Sequence, residues 1–386
     1  MRTGIVETPL HGGKAPPWLF NRMVSLSREI VRAIVEEYGP VEVLRRLSNP
    51  YWFQAFGCVI GFDWHSSGVT TTTLGALKDG LKKINRDLDL FVAGGKGGVS
   101  RKTPDQIRQQ CEIIGLNADP LIYASRMSAK IDSAVLQDGY QIYAHSILFT
   151  SSGEWTVVQQ GMNESLRYAR RYHWLGSNVK SFVVEPHAGI IADKKENALD
   201  LSAAKSEDVR KSSVKIIHQP TKQVLSDLRE VVRISRALDK PTQGDLFDSA
   251  ASTIAASEMQ TFKMPSRHWV TYRDIRADRL KSVLVSTYER QPETYESLVG
   301  LEGVGAKTLR ALALMSEVIY GASPSFEDPA RFSYAVGGKD GTPYPVNKIV
   351  YDESIQILKQ AVDKAKIGQS DKKESIKRLS TYFTLS

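Results

Sequence analysis

Apolar residues recur at helical spacing along most of this chain and give way to strict alternation in one extended region. Residues 19–37 carry an amphipathic pattern that stops at Gly39-Pro40, which predicts a first helix, and a short second helix closes near Leu47. The aromatic-rich stretch from Tyr51 onward ends in an apolar, strand-like run, Phe56 to Phe62. Four threonines at 70–73 lead into a helix through Asn85, and Leu90 to Ala93 reads as a buried strand broken by Gly94-Gly95-Lys96-Gly97-Gly98. Further helices are predicted over 104–115 and 120–136. Between Tyr140 and Met162 two β-rich runs flank Ser-Ser-Gly, the pattern of a hairpin. Asn163 is placed to cap a helix reaching Leu175, and Phe182 to Glu185 reads as one more strand.

From 192 to 213 the chain is polar, with few large hydrophobes, and reads as a linker or exposed excursion. Beyond it helical spacing returns over 222–239, 246–262, 272–289 and 350–365, with a pair of helices at 292–320. A chain of 386 residues exceeds what one core usually covers. The expected fold is therefore α+β: a mixed α/β domain with a β-hairpin over 1–191, and an all-α domain over 214–386.

The turn within 292–320 is the most specific local signal. Leu301 to Ala311 reads Leu-Glu-Gly-Val-Gly-Ala-Lys-Thr-Leu-Arg-Ala: Gly303 and Gly305 bracket Val304, and a second helix starts at once. Leu298, Leu301, Val304, Leu309 and Leu312 are in register to pack the pair. The stretch resembles the helix-hairpin-helix of DNA-binding proteins. Amides at the start of the second helix lack helical acceptors and carry partial positive charge, which suits a phosphate oxygen. Lys307, Thr308 and Arg310 would join Gly303 and Gly305 in holding the DNA backbone; an ordinary helix-to-helix turn is the competing explanation.

A net charge of +8 and a pI near 9.2 favour an anionic partner without separating nucleic acid from simple solubility. No apolar run approaches the ~18 residues of a membrane span. The start has no basic segment followed by an apolar core, so a cytoplasmic protein is expected. Two cysteines, Cys58 and Cys111, build neither a disulfide framework nor a four-sulfur zinc site.

Several polar residues invite chemistry. Asp63 and His65, two apart after an apolar run, would share a face and offer an oxygen and a nitrogen to one divalent ion, although a turn cap and a satisfied buried histidine explain them as well. Asp138 precedes the first hairpin strand and Glu154 the second, an arrangement loosely similar to nucleases that hold Mg²⁺ or Mn²⁺ between carboxylates. The proposed metal set is Asp63, His65 and Glu154, with Asp138 as a further acid–base group. Arg167, Arg170 and Arg171, interleaved with Tyr168, Tyr172 and Trp174, would steer the DNA from a helix face. The loop Gly94 to Lys102 lacks the serine or threonine after lysine that a nucleotide-binding loop needs.

Five segments carry a whole-chain resemblance: Thr-Pro-Leu-His-Gly-Gly at 8–13, Gly-Phe-Asp-Trp-His-Ser-Ser-Gly at 61–68, Ala-Gly-Gly-Lys-Gly at 93–97, Gln-Gln-Gly-Met-Asn at 159–163, and Gly-Gly-Lys-Asp-Gly at 337–341. By these the chain resembles the prokaryotic family known as domain of unknown function 763, which implies no particular activity. The hairpin is also similar, over some three dozen residues, to that of DNA glycosylases. That likeness places a Schiff-base lysine at Lys307 and a carboxylate partner at Asp328, with a helix between them about one turn longer than usual. The expectation is a DNA-processing protein of repair or recombination, a metal-dependent nuclease first and a Lys307 glycosylase/lyase second. A non-enzymatic adaptor contacting other repair proteins is the third reading.

Overall fold

The computed structural model describes residues 15–62, 68–163, 168–192, 195, 197–238, 277–330 and 348–384. Helix α1 (Pro17–Tyr38) ends at Gly39, and Pro40 opens α2 (Pro40–Leu47). The Asn49 side chain accepts from the amides of Tyr51 and Trp52 and so starts α3 (Pro50–Val59), after which comes α4 (Gly68–Leu81). The strand-like run from Phe56 thus lies largely in a helix. It is apolar on all sides because α3 is buried on all sides, a case that periodicity does not distinguish from a buried strand.

Strand β1 (Phe91–Lys96), helices α5 (Thr103–Ile114) and α6 (Asp119–Lys130), a π-helical turn Ile131–Val135, and the short β2 (Leu136–Gln137) lead to the hairpin β3 (Gln141–Phe149) and β4 (Trp155–Asn163). Residues 168–175 form strand β5 (Tyr168–Leu175), paired antiparallel to β4, where the sequence pattern predicts a helix. Tyr172 and Trp174 pack into one core and Leu175 into the other, so the alternation is that of a strand buried on both sides, with arginines within it. Arg167 lies outside the described residues. Residues 182–185 are not a strand; the next strand is β6 (Gly189–Ala192), and β7 (Leu199–Asp200) pairs with β2.

Five antiparallel strands in the order β1-β3-β4-β5-β6 form the central sheet. On one face Phe91, Ile147, Val157, Tyr172 and Trp174 join a core with α5, α6, α7 (Glu207–Ile217), α8 (Thr221–Leu238), α9 (Ala277–Arg290), α10 (Tyr295–Gly300) and α11 (Ala306–Tyr320). On the other face Val92, Leu148, Val158 and Leu175 meet α1–α4, together with α12 (Lys348–Lys364) and α13 (Gln369–Thr384). The sheet is the middle layer, and both cores cross the expected boundary near residue 192. The supposed linker is built in: Ala198, Leu199, Leu201 and Val209 are buried. Its serines are satisfied locally, Ser206 Oγ donating to the Asp200 carbonyl at 2.6 Å and Ser213 Oγ to that of Val209 at 2.7 Å.

Candidate functional site

Helices α10 and α11 are joined by a five-residue turn, 301–305. Thr294 and Ser297 make a reciprocal capping box at the start of α10, and Lys130 Nζ from α6 holds the Leu301 carbonyl at 2.7 Å. Val304 is buried at the apex, and Gly303 takes the left-handed φ of +83° that favours glycine. Gly305 is the N-cap of α11 and supplies no side chain to cap it. A Cβ added there would meet nothing within 4 Å, so the N-cap position itself is open. Lys307 is exposed beside them.

The hairpin keeps only part of its expected set outward. Thr308 is buried, and Arg310, 1% exposed, donates from Nε to Gln137 Oε1 at 2.9 Å in β2. Arg310 points inward because it lies on the face of α11 that carries Ala311, Leu314 and Met315 into the core. It docks the hairpin to β2, in the two-stranded β2–β7 pair, and is unavailable to a polynucleotide.

Arg170 and Arg171, adjacent on β5, are both 0% exposed and point to opposite layers. Arg170 Nη1 donates to Asp138 at 2.8 Å and Nη2 to Asp328 at 2.5 Å, with the Tyr140 ring 4.6 Å from the guanidinium. The Tyr172 hydroxyl donates to Asp138 at 2.7 Å. Burial works against the charge of Arg170, but the two carboxylates overcome it and hold its pKa well above the ordinary value. Arg171 stacks on Phe53 at 4.5 Å and donates to Gln54 Oε1, the Pro50 carbonyl and His173 Nε2. Neither arginine can steer a nucleic-acid strand on the surface. Both tie the sheet to the layers above and below it.

The expected carboxylate pair does not converge. Asp138 stands where β3 begins, sealed against Arg170. Glu154 is half-buried in the turn at the far end of the same hairpin, its carbonyl accepting from the Thr150 amide. Strands of this length separate the two ends by about 27 Å, far beyond the reach of one ion. Asp63 and His65 lie outside the described residues. Among the described residues no three His, Cys, Asp or Glu side chains are grouped to hold a metal. Asp328, committed to Arg170 and 2% exposed at its side chain, is not a free carboxylate for the exposed Lys307.

One constellation has no sequence signal. Asp132, in the π-helical turn, accepts from Gln159 Nε2, from Trp174 Nε1 at 3.0 Å and from His187 Nε2 at 2.5 Å. Gln159 Oε1 in turn accepts from His145 Nδ1 at 2.8 Å, leaving His145 Nε2 to accept from the Ser125 hydroxyl at 2.8 Å. Burial lowers the His145 pKa and keeps that ring neutral. Such a chain orients imidazoles as catalytic dyads do, yet Ser125 and His145 are buried and its inner end meets no solvent. Asp132 lies in a helical segment and His187 follows Glu185-Pro186 in a loop, so nothing in the sequence joins them.

Comparison with known proteins places the chain in one family. It matches the family described as "Protein of unknown function (DUF763)" over residues 4–346 and belongs to it. No curated protein and no solved structure matches the chain. Among the described residues no helix is long and apolar enough to cross a membrane.

Proposed function

We propose that the protein binds the sugar-phosphate backbone of DNA through the α10–α11 hairpin, used as a helix-hairpin-helix element in DNA processing. The observation that carries this reading is the start of α11, where the N-cap Gly305 supplies no side-chain cap, its Cβ position is open and the exposed Lys307 lies alongside; first-turn amides of a helix have no intrahelical acceptor and suit a phosphate oxygen. Such contacts ignore base sequence and make affinity steeply salt-dependent. The metal-dependent nuclease reading now rests on Asp63 and His65, since Asp138 and Glu154 lie at opposite ends of one hairpin.

Two substitutions test the reading by fluorescence anisotropy on duplex and single-stranded oligonucleotides. Lys307→Glu should weaken binding by about tenfold and lower the salt slope by about one. Gly305→Asp places a carboxylate on the α11 amides; it should raise stability by a few tenths of a kcal/mol while abolishing the same DNA contact. Unchanged affinity in both variants would remove the hairpin as the binding element. Incubation with Mg²⁺ or Mn²⁺ and borohydride trapping on abasic DNA then separate cleavage, a lysine imine and binding alone.

A further inference from the structure

A cavity of about 640 Å³ opens between α7, the Glu293–Tyr295 segment and the loop before α7, within the size range of small-molecule sites. Arg210 of α7 lies in its wall, 6% exposed. Its Nη1 donates to the carbonyls of Leu201 and Ala203, each at 2.7 Å. No carboxylate among the described residues pairs with it. Those two bonds fix the guanidinium and leave the Nε–Nη2 edge, the side that grips a carboxylate through two parallel bonds, without a protein acceptor among the described residues. The three other most deeply buried arginines each answer to a side-chain oxygen: Asp138 and Asp328 for Arg170, Gln54 for Arg171 and Gln137 for Arg310.

A second donor is orphaned in the same wall. The Tyr295 hydroxyl is buried and has no hydrogen-bond partner among the described residues, and burial raises its pKa so that it stays protonated. Val184, Val214 and the Tyr295 ring supply apolar walls. The charged lining is Arg210, Lys211 and Lys215 against Glu207 and Glu293, and Lys211 is already paired with Glu207 at 2.5 Å. The surplus is one positive charge, which suits a monoanion better than a phosphate dianion.

We propose that this cavity binds a small organic carboxylate, its head gripped by Arg210 and its apolar body lying against Val184, Val214 and the Tyr295 ring. The site lies at the opposite end of α10 from the DNA-binding turn and is independent of it.

The test is calorimetric titration of the full-length protein with phenylacetate, with 2-phenylethanol as a neutral molecule of similar shape and inorganic phosphate as the competing anion. Phenylacetate should saturate a single site at least about tenfold more tightly than either comparison ligand. Arg210→Gln, which removes the guanidinium, should lose about tenfold or more. Lys215→Glu, an exposed change on the rim that leaves the fold intact, should weaken binding severalfold and decides the matter if Arg210→Gln does not fold. Absence of saturable phenylacetate binding overturns the proposal, as does equal binding of 2-phenylethanol, a preference for phosphate, or unchanged affinity in Lys215→Glu.

Discussion

At the scale of single residues, His145 and His173 show how far burial fixes ionisation here. Each ring is buried and each accepts a hydrogen bond at Nε2, from Ser125 and Arg171 respectively. Desolvation lowers both pKa values, and the neighbouring Arg171 charge pushes His173 further, well below the ordinary value. A histidine depressed in the folded state stabilises fully above its unfolded pKa of about 6.5 and loses that contribution as pH falls towards the folded value. Thermal melts between pH 7.5 and pH 5 should therefore show stability falling below about pH 6.5, approaching about 1.4 kcal/mol per pH unit for each ring. His145→Gln should remove close to half of that slope; an unaltered slope would show that His145 already titrates normally in the fold. The same desolvation explains why the arginines of β5 became structural: a guanidinium inside the protein is held by the oxygens packed around it, and those come from segments distant in sequence.

At the scale of elements, the close approach of β1 to β3 is set by Gly94. Its φ is +100°, and a Cβ there would collide with the His145 carbonyl oxygen and come within 3.0 Å of the Ser146 Cα. Lys78 Nζ, half-buried, bonds the Gly94 carbonyl and Gln106 Oε1 at 2.6 Å each, pinning the strand to α4 and α5. Gly94→Ala should cost more than about 2 kcal/mol in urea unfolding, combining a strained backbone with displaced strand pairing; a cost below about 0.5 kcal/mol would mean that the strands yield freely. Gly94 is thus explained by strand contact. Elements whose signals are local were legible beforehand: α1 with its Gly-Pro stop, the hairpin around Ser-Ser-Gly, and the turn of α10 and α11. Strand β5 and helix α3 were not, because a segment buried on both sides loses the polar face from which period is read.

At the scale of the whole molecule, the sheet contributes one face to each of two cores, and the C-terminal helices divide between them. Leu358, Val362 and Leu379 lie in the core of α1–α4, while Leu298, Leu309 and Leu312 lie in the core of α5 and α6. Residues 1–191 alone should then leave both sheet faces partly bare and fail to unfold cooperatively; a sharp calorimetric transition for that fragment would restore two independent domains. The amino-acid sequence by itself determined the α+β class, the family, and the glycine-bracketed turn, because each rests on short-range spacing, capping and turn chemistry. Only the tertiary structure decided which charges face water, which carboxylates meet, and that the Nε–Nη2 edge of the buried Arg210 has no acceptor among the described residues. Those outcomes depend on contacts between segments tens to hundreds of residues apart, and desolvation there outweighs anything a local pattern encodes.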